Sequence, residues 1–165
     1  DRTSRGLGDV YKRQIWELEE WVVEKPNTKK TFPFSGKVNG FLMYHPEGWM
    51  TATLMQEDRK DVSNDRTAIS EISNLLNNKT ETLFEGSQLE TIKNYFLAAN
   101  GYVSYAGKFS ADQQNVYHNI KASLLPQWVN TTLTRKHKFS SENNLLTLSA
   151  EFNGFKDFLK WKKVQ

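Results

Sequence analysis

Three side chains suited to proton transfer or anion binding lie close together in residues 117–139. Alternation of apolar and polar residues places His118 on the inner side of one segment, and Arg135 and His137 on the inner side of the next. A turn near Pro126-Gln127 would bring His118 opposite or diagonal to the other two, within range of cross-strand pairs. A buried guanidinium needs an acceptor, which a protein group, an acidic ligand or water in a cavity would supply.

Two tyrosines are predicted to face the same interior. Tyr105 shares its side with Val103 and Phe109, and Tyr44 follows Leu42 at a spacing of two. A cavity with a few placed polar groups is typical of a small-molecule site. The alternative is that the inward histidine and arginine are satisfied structural groups and that His137, between two lysines, is exposed surface.

Other kinds of site fit the sequence less well. The histidines lack an inward carboxylate at zinc-ligand spacing, so no metal site is predicted. No cofactor is predicted either, and haem bound axially by His118 or His137 is the alternative that these residues leave open. The chain has neither a glycine-rich phosphate loop nor a G-x-S-x-G nucleophile motif.

The first fourteen residues, DRTSRGLGDVYKRQ, do not read as part of a fold. They show no apolar periodicity and lack the apolar run of a signal peptide. Their second half, GDVYKRQ, resembles translated sequencing adapter of the kind found in metagenomic reading frames. We therefore expect residues 1–14 to be a non-native, disordered extension and the natural start to be missing. Without them the formal net charge of +3 falls to +1, which gives little attraction for nucleic acid.

The remaining residues, 15–165, are expected to form one domain with a single core. The chain has no cysteine, which excludes disulfides, thiolate metal sites and cysteine nucleophiles. No run of 18 apolar residues occurs, so no membrane-spanning helix is predicted. A cytoplasmic location is favoured, and the sequence does not indicate an oligomeric state.

Alternation and turn residues predict eight or nine short strands. They are expected near residues 15–24, 30–34, 40–45, 49–56, 102–109, 116–125, 129–139, 145–150 and 158–161. The apolar period changes to about 3.6 at residues 66–99, where Ser87 and Glu90 form a capping-box signature. Short strands at this spacing favour a sandwich or a closed barrel, and closure removes exposed edges. We predict a mainly β fold, a sandwich or a closed barrel, with a helical insertion at about 66–99.

The order of these signals resembles the lipocalin-like domain family of bacteria and fungi. The resembling segments are IWELEEW, PFSGKVNGFLMYHPEGWMTATLM, GYVSYAGKFS, VYHNIKASLLPQWVNTTLTRKHKF and LLTLSA, which span nearly all of residues 15–165. Residue types that the family places at the same points are Gly40, Tyr44, Gly48, Met50, Tyr105, Gly107, His118, Pro126, Trp128 and Arg135. Two features depart from the family: residues 59–100 are longer than usual, and Ile15 replaces a glycine before the first tryptophan.

The resemblance implies a small lipocalin-like antiparallel β-barrel of about eight or nine strands, with the helical insertion and a central pocket. The predicted ligand-binding residues are Tyr44, Tyr105, His118, Trp128 and Arg135. The favoured function is binding of a small, largely hydrophobic molecule with an acidic or carbonyl oxygen for Arg135. The alternative is an isomerase or cyclase acting on a polyketide-like or other small carbonyl substrate, with His118 as proton shuttle and Tyr105 or Arg135 stabilising an enolate. A purely structural module is the third hypothesis.

Overall fold

Eight antiparallel strands form a closed barrel in a computed structural model, which describes residues 14–27, 29–78 and 81–164. The strands follow one another around the barrel in chain order, and β8 pairs with β1 to close it. They are β1 (Gln14–Glu24), β2 (Val38–Tyr44), β3 (Trp49–Gln56), β4 (Tyr102–Ala111), β5 (Asn115–Ser123), β6 (Thr132–Phe139), β7 (Leu145–Phe152) and β8 (Phe155–Lys163). The predicted β-barrel is confirmed.

The β2–β3 hairpin shows how alternation builds the interior. Leu42 pairs with Ala52 and Tyr44 with Met50, and all four side chains are buried while the residues between them face outward. A turn at residues 46–48 joins the strands, with Gly48 at a φ of +89° that favours glycine. The Phe109 amide donates to the Gly48 carbonyl oxygen at 2.9 Å, which brings the end of β4 to this turn.

One apolar cluster fills the barrel. Its buried members are Trp16, Leu18, Leu42, Tyr44, Met50, Ala52, Leu54, Tyr105, Val116, Ile120, Leu146, Leu148 and Trp161. An eight-stranded barrel is just wide enough for side chains to fill or for one small ligand. The few polar groups inside are therefore in close contact with this apolar lining.

The segment Asp58–Tyr102 between β3 and β4 is a separate compact unit. It contains helices α1 (Ala68–Asn78) and α2 (Gly86–Asn100). An apolar groove of about 470 Å³ lies between them, with Ile72 and Thr91 as its buried members. Among the described residues, no helix is both long and apolar enough to cross a membrane.

Two local predictions are wrong. Residues 30–34 are not a strand: they contain a single isolated bridge between Val23 and Thr31, followed by the turn Pro33–Gly36. Proline cannot donate to a ladder, which ends the pairing there. The capping box is not formed either, because α2 begins at Gly86 with Glu85 as the N-cap and no side-chain cap hydrogen bond.

The predicted extension lies almost wholly outside the described residues. Residues 1–13 are not described, whereas Gln14 begins β1 and pairs with Tyr44. The first strand therefore starts one residue before the predicted boundary.

Candidate ligand-binding site

His118 lies at the centre of a hydrogen-bonded group inside the barrel. Its side chain is only 1% exposed. The Tyr44 hydroxyl lies 2.7 Å from its Nε2, and the Tyr105 hydroxyl lies 2.8 Å from its Nδ1. Both ring nitrogens are thus paired. We call these three residues the tyrosine–histidine group.

Three strands position this group. His118 is on β5 and pairs with Phe109 of β4, whose ring centroid lies 4.6 Å from that of Tyr44 on β2. Tyr105 is four residues before Phe109, on the same face of β4. Alternation thus turns all four rings inward, and barrel closure brings β2 near β5.

Burial keeps the group uncharged. Loss of hydration lowers the pKa of His118 to about 3, and the positive charge of Arg135 lowers it further. Burial also raises the pKa of Tyr105 to about 12, although the Arg135 charge opposes that shift. Near neutral pH the group therefore consists of a neutral imidazole and a protonated Tyr105.

The number of protons in this neutral group determines which hydrogen bonds it can donate and accept. A neutral imidazole has one N–H donor and one acceptor nitrogen, so one tyrosine donates to it while the other accepts from it. The accepting tyrosine keeps its own O–H proton for another partner. When the histidine changes from one tautomer to the other, the tyrosine that keeps its O–H proton for another partner changes between Tyr44 and Tyr105. The group can thus pass a proton between its ends without charging the histidine.

Arg135 is close to this group but is not bonded to it. It shares the inner face of β6 with Leu133 and pairs with Val116, which makes it diagonal to His118 across the β5–β6 hairpin. Its Nη1 donates to the Thr134 carbonyl oxygen at 3.1 Å. Its side chain is half-buried, and its charge acts on both Tyr105 and His118.

The other sequence candidates differ in position. Trp128, in the turn Pro126–Trp128, is half-buried and meets the Tyr105 ring edge-on with centroids 6.1 Å apart. His137 is half-buried rather than fully exposed, and its Nε2 lies 2.8 Å from the Asp112 carbonyl oxygen. It is therefore not part of the tyrosine–histidine group.

An open depression of about 1040 Å³ lies at the end of the barrel where β1 and β3 begin and β2 ends. Tyr44 and Met50, whose side chains are inside the barrel, are among its lining residues, together with Gln14, His45 and Trp49. Met43 and Thr51, which face outward, line it as well, so Tyr44 is shared by the depression and the tyrosine–histidine group.

The sequence analysis did not single out two buried donors, the indole N–H groups of Trp16 and Trp161. Both rings are almost fully buried, and neither indole Nε1 has a hydrogen-bond partner among the described residues. The Oε1 of Gln14 is also buried without such a partner. Alternation indicates the inward direction of these side chains but says nothing about their hydrogen bonds.

Metal and haem ligation can be judged from the donor atoms. Within the described ranges, no group of three or more histidine, aspartate or glutamate side chains is arranged to hold a metal ion. An axial bond from His118 to haem would have to displace one of its tyrosine partners.

Comparisons with known proteins give one family. Residues 15–164 match the model of a family described as "Lipocalin-like domain". No curated protein matches the chain. Among solved structures, the attachment invasion locus protein Ail of Yersinia pestis is 8% identical, with 91% of this chain and 94% of that chain covered at a TM-score of 0.26. That structural likeness is too low to support an inference.

Proposed function

The chain belongs to the lipocalin-like domain family, a fold that suggests small-molecule binding, and we propose that it binds a small, largely hydrophobic ligand inside the barrel. The observation that carries the proposal is the tyrosine–histidine group, three polar side chains placed together in an otherwise apolar interior. Apolar lining with few convergent polar groups is the usual composition of a small-molecule site.

Arg135 is the residue that we assign to an oxygen of this ligand. It is half-buried, shares the inner face of β6, and bonds only a neighbouring carbonyl oxygen in the described contacts. A guanidinium can form two parallel bonds to a carboxylate. A ligand with an acidic or carbonyl oxygen would thus satisfy Arg135 while its apolar part contacts the barrel lining.

Access would occur through the depression beside Tyr44. Its lining includes the inward-facing Tyr44 and Met50 and the exposed Trp49. A ligand entering here would meet the Tyr44 hydroxyl before the rest of the group. Trp128 is placed against Tyr105, where it would shape the site through ring packing.

The proposal predicts that 2-naphthoic acid, a rigid hydrophobic carboxylate, binds to the chain and that Arg135→Leu weakens its binding about tenfold or more. The reason is the loss of a charge-assisted bond in a partly desolvated site. Titration calorimetry measures both affinities, and circular dichroism checks that the fold is retained. Lys136→Leu is the matched control, because Lys136 is the exposed neighbour on β6. Equal loss in both variants, or no binding to the unaltered chain, would contradict the assignment.

A second function, isomerisation or cyclisation of a small carbonyl compound, is favoured by one observation. The two hydrogen bonds of His118 connect two tyrosine hydroxyls through both ring nitrogens, which is the arrangement of a proton relay. The low pKa of His118 requires that it accept one proton as it releases another. Exchange of α-hydrogens of a bound ketone for deuterium, lost in His118→Gln, would distinguish catalysis from binding alone.

A further inference from the structure

Two indole N–H groups on neighbouring strands of the barrel interior have no acceptor among the described residues. Trp16 is 0% exposed and Trp161 is 1% exposed, and their Nε1 atoms are buried without a hydrogen-bond partner. A buried donor that has lost water and gained no acceptor is destabilising, and such groups are rare in native proteins. Two of them together therefore need an explanation.

Their positions place the two rings in one region. Trp161 of β8 pairs with Leu18 of β1, while Trp16 pairs with Lys163. The two tryptophans are consequently diagonal neighbours on the inner face, within reach of one another for side chains of this size. Gln14, two residues before Trp16, adds a buried oxygen that has no partner among the described residues and also lines the depression.

This region differs from the site around His118. In a closed barrel of eight strands, β5 is four strands away from β1 in either direction. The indole groups on β1 and β8 thus lie on the wall opposite His118. Lys163 shares this face through its pairing with Trp16, but it is exposed at the end of β8. The buried donors of the wall are therefore neutral N–H groups, which suit a neutral acceptor oxygen better than a carboxylate.

We propose that Trp16 and Trp161 bind a carbonyl oxygen of the ligand at the β1–β8 wall, as a second polar contact distinct from that of Arg135. The inference rests on the proposed function and specifies the ligand class: a hydrophobic ketone, aldehyde or ester, with or without a separate acidic group. Its apolar part would lie against the cluster that includes Leu146 and Phe139, whose ring contacts Trp16.

The test compares two probes of similar shape, 2-acetylnaphthalene and 2-ethylnaphthalene, of which only the first carries an acceptor. Replacing an indole by a phenyl ring removes the donor but keeps an apolar ring. We expect Trp161→Phe to weaken binding of the acetyl probe about five- to tenfold more than binding of the ethyl probe. Trp21→Phe is the control, since the Nε1 of Trp21 already donates to the Asp157 Oδ1 at 3.4 Å, and it should leave the affinity ratio of the two probes unchanged.

A spectrum of the unaltered chain gives a second readout that does not depend on how the variants fold. With ¹⁵N-labelled tryptophan, the two most buried indole protons should move downfield with the acetyl probe and not with the ethyl probe. If both probes bind, but the indole protons do not shift and Trp161→Phe leaves the ratio of the two affinities unchanged, the inference is overturned. The indoles would then be assigned to bound water, and binding inside the barrel would still stand. Failure of both probes and of 2-naphthoic acid to bind would instead reject the proposed function along with it.

Discussion

At the scale of single residues, the central feature is a histidine whose two nitrogens are both bonded to tyrosines. Because His118 is buried and its pKa is lowered to about 3, it serves near neutral pH as a neutral donor and acceptor rather than as a cation. Tyr105, with a pKa raised to about 12, remains protonated. The interior therefore offers oriented hydrogen bonds without a charge of its own, beside the positive charge of Arg135.

The low pKa of His118 predicts a loss of stability in acid. Between the ordinary pKa of 6.5 and the folded value of about 3, the unfolded chain binds a proton that the folded chain does not. The free energy of unfolding should therefore fall as pH drops through this window, with a contribution approaching about 1.4 kcal/mol per pH unit.

Urea denaturation at several pH values between 7.5 and 4 measures this contribution. His118→Gln should remove it and flatten the profile relative to the unaltered chain. His45→Gln is the control, because His45 is exposed and its side chain accepts only from the Glu47 amide in the described contacts. Parallel profiles for the unaltered chain and His118→Gln would show that His118 does not carry the acid sensitivity.

Alternation along the strands was sufficient to place His118, Tyr105 and Tyr44 on inner faces, and the structure has them there. It could not pair Tyr44 with His118, which is 74 residues away, because that contact depends on the closure of the barrel. The same limit applies to Trp16 and Trp161. Their burial follows from pattern, but whether a buried donor finds an acceptor depends on the atoms around it in three dimensions.

At the scale of the strands, the close approach of β4 and β5 near Tyr105 depends on a glycine. A bulge lies between Ala106 and Gly107. A Cβ atom at Gly107 would overlap the carbonyl oxygen of Asn119. Since that oxygen belongs to the backbone of β5, it cannot rotate away, and β4 would have to shift next to Tyr105.

Gly107→Ala should therefore lower the free energy of unfolding by about 1–3 kcal/mol, as overpacking in a close contact usually does. Thermal or urea unfolding measures the loss. Ser110→Ala, an exposed substitution on the same strand, should remain within about 0.5 kcal/mol of the unaltered chain. An equal effect of the two changes would argue against the close approach at Gly107.

Strand boundaries were predicted well where turn residues and alternation agree. The β2–β3 hairpin is the clearest example, because Pro46 and Gly48 suit the turn and the buried residues alternate on both sides. The strand predicted at residues 30–34 was wrong because the alternation there is short and Pro33 begins a turn instead. The capping box failed for a different reason, since Gly86 extends α2 by one residue before Ser87.

At the scale of the whole molecule, the number and spacing of short strands predicted a sandwich or a closed barrel, the family resemblance favoured the barrel, and the structure confirms it. The match over residues 15–164 establishes the lipocalin-like family. Neither identifies a ligand, because a barrel of this kind is a scaffold and its chemistry depends on the interior side chains. The features that restrict the kind of ligand are the tyrosine–histidine group, Arg135 and the two buried indoles.

The most direct test of binding inside the barrel is native mass spectrometry of the chain purified from a cell extract, compared with the mass of the same sample after denaturation. A reproducible excess mass that is released on denaturation, and that is reduced in Arg135→Leu but not in Lys136→Leu, is the expected result. Fragmentation of the released molecule should identify a hydrophobic compound with a carbonyl or acidic oxygen. A folded chain whose native and denatured masses agree, and that takes up no compound from the extract, would contradict the binding function.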